Sequence, residues 1–170
     1  MSLPVEIGEA SPDDELGVLA IVAAAFGRHD EARLVAALRQ DGAIVLSLVA
    51  KLQGLVIGAC VFSRVRLQSQ AGEAPGVALA PLAVAPAFQT CGVGTRLVQV
   101  GLETLKARGE ATVLVVGEPS YYGRFGFSSE AAGGVETPWD VGDYLQALAL
   151  AGEPPGAGRA VYAAAFAALE

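Results

Sequence analysis

The stretch PAFQTCGVGTRLVQVGLETLKARG, residues 86–109, decides how this chain is read. Over residues 92–108 the pattern is helical: Gly94, Leu97, Val98, Gly101 and Leu105 share one stripe, while Arg96, Gln99, Glu103 and Lys106 face away. Gly92 and Gly94 stand at its beginning, although glycine in a helix costs about 1 kcal/mol relative to alanine. A helix start gives them a use. Four N–H groups there lack intrahelical partners, and the helix dipole favours negative charge. Without Cβ atoms, an anionic ligand can approach that backbone closely. The pattern is that of a phosphate cradle.

The flanking segments predict what the cradle is mounted on. Residues 77–84 form an apolar strand interrupted by Pro81, which implies an edge, a bulge or a local parting of neighbours. Residues 112–116, TVLVV, read as a short strand buried on both faces. Strand, helix and strand make a βαβ unit with a parallel pair. Upstream, residues 5–7 suggest a first strand. Ser11 and Pro12 open a helix with Leu16, Leu19, Ala20, Ala23 and Phe26 at core spacing and Gly27 at its end. Asp30 can cap a second helix over 31–39, on which Glu31 and Arg33 read as an exposed pair worth little. Residues 43–50 and 55–63 read as an antiparallel hairpin, followed by a loop over 69–75. Downstream come SYYGRFGF, a loop around 133–138, a helix over 141–150, and a last strand over 159–163. The expectation is one α/β domain over residues 1–170, with a mixed sheet that is antiparallel at first and parallel across the glycine helix.

Composition excludes several function classes. The 170 residues are 53% hydrophobic and 17% charged, which argues against disorder. No window reaches the roughly 18 uninterrupted apolar residues of a spanning helix. The N-terminus carries acids and no basic n-region, so no signal peptide is expected. Both readings predict a cytoplasmic protein without a membrane partner. Cys60 and Cys91 are too few for a disulfide scaffold or metal site, and the single histidine, His29, closes most His-based arrangements. A net charge of −7 disfavours nucleic acid and favours cationic partners, amines among them.

Three cradles compete. A P-loop needs a Gly-Lys-Ser/Thr ending, but Thr95 and Arg96 follow Gly94. A dinucleotide fingerprint needs a third glycine where Leu97 stands, and an acid about 20 residues on, where the chain has VLVV. The third fits. QTCGVG resembles the Q/R-x-x-G-x-G/A loop of the GNAT superfamily of acyl-CoA-dependent N-acetyltransferases, after the strand PLAV. SYYGRFGF resembles that superfamily's tyrosine-bearing helix ending in Gly-Phe, and AFGRHDEARLVAALR and AVYAAAF look like the ends of small bacterial members of its YhbS-like branch.

The resemblance implies a central mixed sheet splayed at the cofactor site and flanked by helices, with acetyl-CoA as cosubstrate and no metal. It implies pantetheine pairing with the backbone of Leu82, Ala83 and Val84. Pyrophosphate would rest on the amides of Gln89, Thr90, Cys91, Gly92, Val93, Gly94 and Thr95. Where relatives often carry a basic residue, this chain has Cys91, so weaker cofactor binding is expected. Tyr122 matches the tyrosine that protonates the leaving thiolate, with Tyr121 the alternative. The general base stays open among Glu118, Glu73, His29 and water. The implied activity is acetyl transfer to a small-molecule or peptide amine by direct attack. The alternative is an acyl-CoA-binding sensor without turnover. Apolar richness also suggests a homodimer.

Overall fold

The computed structural model describes residues 4–169, so the ends of the expected 1–170 unit, residues 1–3 and 170, lie outside the described residues. Eight strands form one sheet: β1 (Glu6–Glu9), β2 (Ile44–Leu52), β3 (Leu55–Ser69), β4 (Gly72–Val84), β5 (Thr112–Val116), β6 (Val135–Glu136), β7 (Leu145–Ala149) and β8 (Gly158–Tyr162). The order is β1-β2-β3-β4-β5-β7, and β8 joins the edge of β3 at Val65–Gln68 while pairing with β6 on its other side. Only β4–β5 and β6–β8 are parallel. The mixed sheet and the parallel pair across the glycine helix match the sequence reading.

Helices α1 (Glu15–Phe26) and α2 (Asp30–Gln40) cover one face, and α3 (Val93–Ala107) covers the other. The α3 stripe is as predicted: Leu97, Val98, Gly101 and Leu105 are buried against Leu48, Phe62 and Val77. Gly101 lets the helix lie close. A Cβ there would stand 2.5 Å from the Phe62 ring, well inside van der Waals contact.

Several elements depart from the sequence reading. The expected loop over 69–75 is strand: β3 and β4 form one long hairpin that turns at Gln70 and Ala71, and Glu73 pairs across it with Gln68. The expected helix over 141–150 is a short 3-10 turn, Gly142–Tyr144, followed by β7. The edge of β5 needs a partner, and β7 supplies one from Val116↔Leu145 to Thr112↔Ala149, so pairing overrides the helix propensity of leucine and alanine. On α1 the buried positions are Val18 and Val22, while Leu16 and Phe26 face solvent. The helix begins with a 3-10 turn at Pro12–Asp14, which rotates the stripe. Glu31 is buried and bound by Arg28 at 2.6 and 2.8 Å, while Arg33 pairs with Asp30.

The β4–β5 register runs Val77↔Val113, Ala78↔Leu114, Leu79↔Val115 and stops. Opposite, β4 pairs with β3 at Leu79↔Phe62 and resumes at Leu82↔Cys60, so Ala80 and Pro81 bulge against Val61 alone. Pro81 therefore marks both the bulge and the place where β4 leaves β5.

Nearby, Arg64 grips Glu110 with two 2.8 Å hydrogen bonds and the Gly76 carbonyl at 3.1 Å, tying β3 to the loop before β5. The guanidinium holds the Glu110 carboxyl below its ordinary value of 4.5. Because the folded-state value is the lower one, the pair stabilises above pH 4.5 and loses that contribution as pH falls through the folded value. Glu110→Gln is expected to lose about 1 kcal/mol at pH 7 by urea denaturation. The gap to the parent should narrow progressively below pH 4.5; a constant gap would assign the effect to packing.

Candidate functional site

Beyond the bulge, Leu82, Ala83 and Val84 keep β3 as their only strand partner. The Ala85 amide donates to the Ile57 carbonyl at 2.8 Å. By the alternation of an antiparallel ladder, Ala83 also directs its backbone polar groups to β3, while those of Leu82 and Val84 point into the gap. Consistent with this, the Val84 carbonyl is free to accept Gln89 Nε2 at 3.0 Å. The gap edge of β4 is thus an open strand edge.

The loop after β4 turns into α3 through two left-handed residues, Thr90 at φ +65° and Gly92 at φ +82°. Gly92 is the N-cap of α3, and the first helical bond runs from the Arg96 amide to its carbonyl at 3.1 Å. No side chain caps this end. The amides of Gly92, Val93, Gly94 and Thr95 thereby remain as donors without an intrahelical partner. Gly94 faces β4: a Cβ there would lie 3.6 Å from Val84 Cγ2, 3.7 Å from Leu82 Cδ2 and 3.2 Å from Tyr121 Oη. The missing side chain keeps the space between helix start and open strand clear.

That space is a cleft of about 580 Å³. Leu82 and Val84 form its β4 wall, Gln89, Thr90, Gly92, Val93, Gly94 and Thr95 its α3 side, and Phe88 closes one end. Two of the predicted cofactor-binding residues, and the predicted catalytic Tyr122, do not line it. Ala83 is buried on the opposite face under α1, and Cys91 is exposed on the outside of the loop.

The last wall comes from α4 (Pro119–Tyr122), a single turn after β5 that separates the two tyrosines. Successive helical residues point about 100° apart. Tyr121 faces the cleft, its hydroxyl 3.4 Å from Thr95 Oγ1. Tyr122 turns away from the cleft into the core under α3, against Gly117 and edge-on to Phe127 at 5.9 Å. Burial pushes its phenol well above the ordinary value of 10, with the neighbouring Cys60 and Tyr121 adding to the shift. Arg124, which the sequence reading did not single out, lines the cleft. Its guanidinium stacks 4.5 Å above the Tyr121 ring, and its Nε donates to the Tyr121 carbonyl at 3.0 Å. The signal was present: Arg124 follows Tyr121 by three residues on a helical turn, hence on the same side.

The candidate bases are dispersed. Glu118 is the exposed N-cap of α4 and accepts Ser120 Oγ at 3.3 Å. Glu73 lies at the far end of β4 and pairs with Arg66, and His29 is exposed at the start of α2. Cys60 is fully buried, and burial raises its thiol. Among the described residues, no group of histidine, cysteine and carboxylate side chains could hold a metal, and no helix is long and apolar enough to cross a membrane.

The sequence profile of the acetyltransferase (GNAT) domain matches residues 6–129. The chain belongs to the GNAT family. It is 38% identical over 140 residues to the uncharacterized N-acetyltransferase YhbS of Escherichia coli strain K12, covering 82% of this chain and 80% of that protein. It is 42% identical over 105 residues to the uncharacterized N-acetyltransferase YjhQ of the same strain, a match spanning 61% of this chain and 58% of YjhQ. The fold superposes on the crystal structure of E. coli YhbS in complex with CoA with a TM-score of 0.89, at 33% identity, covering 98% and 94% of the two chains. A Brucella melitensis GNAT acetyltransferase in complex with acetyl-CoA gives 0.81 at 32% identity, covering 95% and 97%.

Within this GNAT domain the two glycines have different duties. Gly92 carries the left-handed turn, with no atom within 4 Å of a Cβ placed there; Gly94 has ordinary helical geometry and clears the cleft. Gly92→Ala should therefore cost about 1 kcal/mol of unfolding free energy from backbone strain alone. Equal stability in chemical denaturation would show that the turn relaxes without it.

Proposed function

We propose that the chain is an N-acetyltransferase that moves the acetyl group of acetyl-CoA to an amine by direct attack. The observation that carries this reading is the uncapped start of α3 facing the open edge of β4 across Gly94. The donor set suits the ligand. Unpaired amides and a helix dipole fit a pyrophosphate, and an open strand edge fits the amide-bearing pantetheine arm. The CoA and acetyl-CoA bound in the YhbS and Brucella structures support the assignment.

Bound acetyl-CoA supplies an activated thioester: the amine nitrogen bonds to the carbonyl carbon, the C–S bond breaks with its electron pair going to sulfur, and an amine proton is balanced by one delivered to that sulfur. The amides of Gly92, Val93, Gly94 and Thr95 hold the phosphates. Arg124 adds the positive charge that Cys91 does not provide, entering from the α4 side. Leu82 and Val84 orient the arm toward the parting of the sheet. Tyr122, in the core against the cleft-facing Tyr121, keeps its proton firmly held, and we assign to its Oη the delivery of a proton as thiolate charge develops. An acyl-cysteine route finds no support, because Cys60 is buried and Cys91 lies outside the cleft.

Two experiments test the reading. Acetyl-CoA should raise the melting temperature of the parent, leave folded Gly94→Val unshifted, and bind Arg124→Ala about tenfold more weakly by calorimetry. Undiminished binding to Gly94→Val would remove the cleft from consideration. In thiol-release assays Tyr122→Phe should lower kcat by about a hundredfold or more while leaving acetyl-CoA affinity near the parent value. A comparable loss in Tyr121→Phe alone would transfer the role to the cleft-facing neighbour. Binding of acetyl-CoA without turnover of any amine would favour a sensor.

A further inference from the structure

On the opposite face of the same two strands lies a second cavity, of about 280 Å³. Its floor is Ala80 of β4 and Val116 of β5, and its walls are Trp139, Val141, Tyr162 and Phe166. Ala80 and Val116 are the residues just past the last β4–β5 pair, Leu79↔Val115. The cavity therefore reaches the parting from the α2 side, as the α3 cleft reaches it from the other. Val116 is 41% exposed, an apolar side chain left uncovered at a sheet end, and the cavity accounts for it.

The walls state what they accept. Trp139 and Tyr162 meet edge-on at 4.7 Å, Tyr162 and Phe166 at 5.2 Å, and Trp139 and Phe166 at 6.0 Å. The half-buried Trp139 and Tyr162 and the buried Phe166 line the space with the kind of ring surface a further aromatic group packs against. Among the described residues, no aspartate, glutamate, lysine, arginine or histidine lines the space. An acceptor with several ammonium groups would lose hydration there without a carboxylate in return. An apolar cavity of about 150 Å³ suffices for benzene, so this one takes one ring or two with a short linker.

We infer that the cavity is the acceptor pocket, and that the acceptor is a primary amine on a short linker from an aryl or comparably bulky apolar group. The ring sits among Trp139, Tyr162 and Phe166, and the nitrogen extends past Ala80 and Val116 to the parting. The assignment rests on the acetyl-transfer reading, with the amine entering from the face opposite the cofactor cleft.

Trp139 is the only tryptophan in the chain, so its fluorescence reports on the pocket directly. The unliganded protein is titrated with 2-phenylethylamine and, separately, with kanamycin, while acetyl-CoA binding is followed in parallel by calorimetry. 2-Phenylethylamine should change the Trp139 emission saturably and kanamycin should not. Leu169→Phe, which crowds the cavity from outside the sheet, and Val141→Phe, on an irregular segment outside the sheet, should each weaken the aryl amine at least tenfold without altering acetyl-CoA affinity. The inference is overturned if acetyl-CoA binds but the aryl amine gives no saturable change, if kanamycin binds more tightly, or if both folded variants bind as the parent does. Binding of the aryl amine to a protein that fails to bind acetyl-CoA would leave the pocket standing and remove the transferase reading beneath it.

Discussion

Both ligand-sized spaces depend on one defect in strand pairing, the bulge at Ala80 and Pro81. A regular strand alternates its side chains between faces, so residues 78, 80, 82 and 84 would all point the same way. The extra residue breaks that alternation. Ala78 and Ala80 line the cavity on the α2 side, whereas Leu82 and Val84 line the cleft on the α3 side. The same change of course carries β4 away from β5 after Leu79, uncovering a backbone edge. One inserted residue supplies an apolar floor on one face and an open strand edge on the other.

Electrostatics in the cleft run against the charge of the whole chain. The net charge is −7, yet no carboxylate lines the space between α3 and β4, and Arg124 does. Fields from exposed surface acids are damped over about 8–10 Å at physiological salt, while partly buried dipoles at a helix start act at contact range. Local donors thus decide what binds. The one basic side chain lining the cleft among the described residues, Arg124, comes from the 3-10 turn after α4, some thirty residues downstream of the loop.

The sequence was most legible where chemistry constrains it. The two glycines, Pro81 in a strand and the all-apolar 112–116 each restrict the backbone to few options, and together they specified the parallel pair, the cradle and the bulge. Legibility failed where partners decide. Residues 145–149 are strand because β5 has an edge to fill, and their composition carries no trace of that demand. The burial of Glu31 follows from Arg28 folding over it, and the rotation of α1 follows from a 3-10 first turn. Tyr121 and Tyr122 were indistinguishable as letters; one helical step sends one to the cleft and the other to the sheet. The aromatic cavity was invisible for the same reason as β7: Trp139 is far in sequence from Tyr162 and Phe166 and meets them where β8 returns to the edge of β3.

That return gives the two spaces separate stretches of the chain. The GNAT match ends at residue 129, before the first aromatic wall residue, Trp139. The cradle, the open strand and both tyrosines lie inside the matched region, and the walls of the aromatic cavity come mostly from the segment beyond it. Among the described residues none lines both spaces, so a substitution at Trp139, Val141, Tyr162 or Phe166 reshapes the aromatic cavity without removing a wall of the α3 cleft.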